Sequence, residues 1–150
     1  MTTTPKTSYD ILQMLDTYHA RRRDTYDQLA RRGSDERAVV LLEYLVRLED
    51  DMLQIIQGEK ERITPEQASR LMPGPTLTVK PAHAMDCQCD GEPTFDEALA
   101  CALTSDEALD ELIDHLQASS AASSLQDLAT RLREAERMKD RQIAKFTRQD

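Results

Sequence analysis

The chain has no tryptophan, only four glycines, and aromatic residues at 4%. With 31% of its residues charged, it suits a mostly helical protein. Its three cysteines, an odd number, do not suggest a disulfide framework. No apolar run approaches the ~20 residues that a membrane helix requires. Met1 to Lys6 are Thr-rich and carry no apolar stretch, so no secretory signal is expected. A formal net charge of −9 argues against nucleic acid as the main partner, because phosphate contacts need a basic surface. The basic clusters Arg21-Arg22-Arg23 and Arg31-Arg32 are expected to be solvated helix surface. No Ser-His-Asp order, phosphate loop or dinucleotide fingerprint is present. These absences leave a cytoplasmic protein with neither a membrane nor a nucleic-acid partner. At 150 residues, one domain with a real core is expected.

What the chain does have is a series of helix signals. Thr7 with Asp10 makes a start of the capping-box kind, and Gly33 follows the first helical stretch, about 8–32. Ser34 and Asp35 offer caps for a second stretch, about 35–58. The tight turn between them predicts an antiparallel hairpin. Thr64-Pro65-Glu66-Gln67 begins a short helix that must end before Pro73-Gly74-Pro75. Thr76 to Val79 is the only strand-like piece. Thr94 with Glu97 caps a third stretch, about 95–118. After the Ser/Ala-rich turn at 119–124, Ser124 with Asp127 starts a fourth, about 124–148. The expected fold is all-α: two antiparallel helical hairpins joined by a long crossover, about 59–94, that carries one short extra helix. A connection of that length is the connectivity of ferritin-like bundles rather than of a simple up-down bundle.

Each long stretch carries an apolar seam broken by ionisable residues. The seams read Leu12-Leu15-His19-Arg22-Tyr26-Leu29, Ala38-Leu42-Leu45-Glu49-Met52-Ile56, Leu99-Ala102-Asp106-Leu109-Ile113-Leu116 and Ala129-Leu132-Glu136-Lys139-Ile143-Phe146. Steps of three and four keep these side chains on one helix face. Charged groups are rarely buried unless paired with each other or with a metal.

On these residues the chain resembles the ferritin-like superfamily, rubrerythrin-type proteins in particular. The segment from Glu97 to Asp106 looks like the family's third-helix pattern, and Leu132 to Lys139 looks like its fourth-helix segment ending in Glu-x-x-His. The resemblance implies a four-helix bundle whose helices supply Glu and Glu-x-x-His ligands to two metal ions. Carried across position by position, His19 stands at the first Glu and Glu49 matches the second. Met52 replaces the following His, Asp106 replaces the third-helix Glu, Glu136 matches, and Lys139 replaces the last His. An ammonium has three donors and no lone pair. Lys139 and Arg22 could therefore supply the charge a metal would have brought, neutralising Glu49, Asp106 and Glu136, with His19 as a hydrogen-bonding partner. Two other readings stay open. His19, Glu49, Asp106 and Glu136 could hold iron, manganese or zinc, or some seam positions could be solvated at the bundle edge.

Elsewhere, His83, Cys87 and Cys89 lie close together in the crossover and carry zinc- or copper-binding groups, though their spacing is not the usual one for zinc. Cys101 and the helical methionines read as core packing, and Asp110, Glu111, Asp114 and His115 as a solvated acidic face. No catalytic residue or cofactor is assigned. The leading functional expectation is a non-catalytic scaffold or regulatory binding module, with a protein partner or a second copy of itself; Val39-Val40 and Leu125 with Leu128 are the candidate exposed rows. The alternatives are a metal-dependent oxidoreductase on the same bundle, and a metal sensor or carrier using the crossover thiols.

Overall fold

The computed structural model is all-helical. It describes residues 7–68, 94–104, 110, 113–114, 116–118 and 123–148. Helix α1 spans Ser8–Arg32, α2 Glu36–Arg62, α3 Pro65–Ala68, α4 Phe95–Thr104 and α5 Ser123–Ala144, followed by a 3₁₀ turn over Lys145–Arg148. Among the described residues, no helix is long and apolar enough to cross a membrane. Thr76 to Val79 lies outside the described residues.

The helix starts are built by short polar side chains. The Thr7 hydroxyl accepts from the Asp10 amide at 3.1 Å, and the Asp10 carboxylate accepts from the Thr7 amide at 3.1 Å. Thr94 and Glu97 make the same reciprocal pair at the start of α4, at 3.2 and 3.0 Å. Such boxes satisfy amides that have no partner inside the helix. Asp35 serves two starts: its carboxylate accepts from the Arg37 amide at 3.1 Å and from the Phe95 amide at 3.3 Å. Asp35→Ala should therefore cost about 1–2 kcal/mol, the upper part of the range for one cap, read as a lower urea midpoint with an unchanged slope. A loss no larger than that of an uninvolved surface Asp→Ala would mean that the second contact adds nothing.

One of the two glycine-marked helix ends shifts and the other holds. Gly58 does not stop α2, which runs to Arg62. A lone glycine weakens a helix by only about 1 kcal/mol, and here the helix continues because Glu59 and Lys60 find partners beyond it. Gly33 ends α1 with φ −74°, so no left-handed backbone is needed there. Its value is space, since an added Cβ would lie 2.9 Å from Val39 Cγ2.

Helix directions follow from the contacts. Lys60 Nζ meets Asp16 at 2.8 Å, and Arg23 pairs with Asp50, so α1 and α2 run antiparallel. Tyr44 donates to Gln142 at 2.9 Å, and Arg131 reaches Glu59 at 2.7 Å, so α5 also runs antiparallel to α2. α4 starts beside Asp35 and passes Ala102 under Arg22, in the same direction as α2.

The apolar residues form two clusters. One gathers Ile11, Leu12, Leu15, Tyr18, Ile56, Ile113, Leu116, Leu128, Ala129 and Leu132. The other gathers Tyr26, Leu29, Leu41, Leu42, Leu45, Ala98, Ala102 and Ile143. Leu128, expected on an exposed row, belongs to the first cluster, because α5 turns that edge inward; the Leu125 side chain lies outside the described ones. Between the two clusters, on α1, α2 and α5, lies a layer of charge.

Candidate functional site

Five seam residues meet in that layer. His19, Arg22, Glu49, Glu136 and Lys139 are all buried, none more than 4% exposed. The His19 ring lies between two carboxylates: Nδ1 bonds Glu49 Oε2, and Nε2 lies 2.9 Å from Glu136 Oε1. Both ring nitrogens can donate only in the imidazolium form, so the ring is a cation here. Burial opposes that charge, but Glu49 and Glu136 outweigh it and hold the His19 pKa above its ordinary value.

Glu49 faces three cations. Besides His19, its Oε1 lies 3.6 Å from Arg22 Nε and 3.6 Å from Lys139 Nζ. Burial alone would raise its pKa, but Lys139, His19 and Arg22 bring it down to about 2. Lys139 Nζ also lies 3.1 Å from Glu136 Oε2. Among the described residues, three cations thus face two carboxylates. Arg22 is further held by aromatic groups: its guanidinium carbon sits 5.5 Å from the Tyr18 ring centre and 5.6 Å from that of Tyr26. Its Nη2 donates to the Tyr26 hydroxyl at 2.8 Å and to the Ala102 carbonyl at 3.4 Å. The Arg21-Arg22-Arg23 cluster therefore splits. Arg21 is exposed and Arg23 half-buried, as a solvated face would be, while Arg22 turns fully inward.

The imidazole holds the two carboxylates on opposite edges of its ring, with both nitrogens engaged. The Lys139 ammonium lies near the other oxygen of each carboxylate, Glu136 Oε2 and Glu49 Oε1. Among the described residues no three His, Cys, Asp or Glu side chains form a metal-binding group. Asp106, His83, Cys87 and Cys89 lie outside the described residues.

One buried acid lies apart from this layer. Glu59 is 5% exposed and receives the guanidinium of Arg131 on both oxygens, Nε at 2.9 Å and Nη2 at 2.7 Å. Arg62 adds a contact at 3.4 Å. The signal for it was present, because position 59 continues the second seam three residues after Ile56; the glycine between them hides it. Tyr18 likewise stands off the first seam, although it packs edge-on against His19 with ring centres 5.7 Å apart. No family model, curated protein or solved structure matches this chain.

Proposed function

We propose that the chain is a ferritin-like four-helix bundle in which an internal charge network takes the place of a di-metal site, and that it works as a non-catalytic scaffold or regulatory binding module. The observation that carries this reading is the position of Lys139. Its ammonium lies 3.1 Å from Glu136 and 3.6 Å from Glu49, the two carboxylates that match the family's ligand positions. A cation fixed there neutralises the acids that a metal would otherwise neutralise, and His19 and Arg22 complete the task. The shared direction of α2 and α4 supports the bundle, because two neighbouring parallel helices need a connection that travels back along their length.

The test is elemental analysis of protein purified without chelator from cells supplied with iron, manganese and zinc. Substoichiometric metal, with a thermal midpoint unchanged by chelator, is the expected result. Stoichiometric metal that disappears in Glu49→Ala, Glu136→Ala would replace this reading with the oxidoreductase-like one based on His19, Glu49, Asp106 and Glu136. Metal that survives there but disappears in Cys87→Ser, Cys89→Ser would move it to the crossover.

A further inference from the structure

The α2–α5 face is unlike the rest of the described surface. Four large apolar side chains are well exposed among the described residues, and three of them lie on this side: Val40 at 61%, Ile55 at 40% and Met138 at 58%. Ile55 and Met138 border a groove of about 560 Å³ between the two helices, with Tyr44, Leu48 and Met52 along its α2 wall. Along α2 the side that borders the groove carries exposed Val40, Arg47, Asp51 and Ile55, with Tyr44 and Leu48 half-buried among them. Contiguous exposed apolar surface with a polar border marks an interaction site more often than chance.

The charges on this row indicate the occupant. Arg47 and Asp51 stand one helical turn apart, on either side of Leu48. Arg47 lies over the Tyr44 ring, 5.9 Å from its centre. Neither Arg47 nor Asp51 makes an ion pair among the described residues, whereas Arg131, Lys60 and Arg23 all do. A row that carries one unpaired charge of each sign around an apolar centre is complementary to itself when turned end for end. This is the condition for a two-fold, isologous contact. We propose that the α2–α5 face is a self-association surface, on which α2 of one copy packs antiparallel to α2 of a second copy, centred midway between Arg47 and Asp51, so that each Arg47 meets the other copy's Asp51. The same rotation brings each Ile55 toward the other copy's Tyr44 and covers the groove with apolar side chains. The inference rests on the reading of the chain as a binding module, but it is independent of what neutralises the buried acids.

Sedimentation equilibrium across a concentration series tests it, with circular dichroism as the check that each variant is folded. The unmodified chain should dimerise. Arg47→Asp places like charges opposite each other twice and should weaken dimerisation by about tenfold or more, equivalent to about 1.4 kcal/mol. The exchange Arg47→Asp, Asp51→Arg restores the pairing and should recover the affinity; Ile55→Glu should weaken dimerisation without rescue by that exchange. A monomer at all concentrations, or a dimer indifferent to Arg47→Asp, overturns the proposal. So does a charge exchange that fails to restore association. None of these outcomes bears on metal content, so the bundle reading stands or falls separately.

Discussion

Glu49→Gln should remove on the order of 3–5 kcal/mol of stability at neutral pH, the typical cost of breaking a buried ion pair by deleting one partner. The substitution keeps the side chain's shape but deletes a carboxylate that faces all three cations, His19, Arg22 and Lys139. Among the described residues Glu136 alone would then oppose three positive groups. An amide cannot replace the lost charge, and water does not reach a side chain that is 1% exposed. Denaturant unfolding of the variant against the unmodified chain measures the effect. A loss below about 1 kcal/mol would mean that the charges are hydrated or compensated from outside the layer.

The same comparison carried across pH gives the second large effect. Glu49 titrates at about 2 in the fold against an ordinary 4.5. A lowered carboxylate pKa stabilises the fold above 4.5, and this contribution is lost as pH falls toward 2. The 2.5-unit difference between those two values corresponds to on the order of 3 kcal/mol. The gap between the unmodified chain and Glu49→Gln should therefore close progressively from pH 4.5 to pH 2, where the protonated acid and the amide carry the same charge. His19 works in the opposite direction. Its pKa lies above the ordinary 6.5, so its contribution is complete below 6.5 and is lost as pH rises through the folded value. These two groups together place the network's full contribution between about 4.5 and 6.5. A gap that stays constant from pH 5 to pH 2 would show that Glu49 is not the group whose protonation releases the network.

The seams made much of this legible in advance. Every position of the first two seams is buried, because a helix that must hide one face advertises it at intervals of three and four. The Thr7 and Thr94 caps were equally readable, since a hydroxyl followed three residues later by a carboxylate has few other uses. What spacing does not encode is the direction of a side chain once it is inside. Nothing in the position of His19 says that its ring would lie between two carboxylates and so become a third cation. Nor does the run of three arginines say which one turns inward; Arg22 is chosen because Tyr18 and Tyr26, one turn to either side, give its guanidinium two aromatic faces. Gly58 misled for a related reason. A helix propensity is a local preference, and the Glu59–Arg131 contact that carries α2 past it joins residues 72 apart in the chain.

The two bonds of the His19 ring differ in the length of chain they close. Glu49 is 30 residues away and Glu136 is 117 away. Loop-closure entropy rises by roughly 0.6 kcal/mol per doubling of length, so the longer closure costs about 1.2 kcal/mol more. The first bond belongs to a local hairpin, while the second waits for the far end of the chain. The shorter closure is thus the one expected to form first. The α1–α2 pair can form with Glu49 already seated against His19 and Arg22, and α5 then arrives bringing both the second acid and the third cation, so that neither Glu136 nor Lys139 has to be buried without the other.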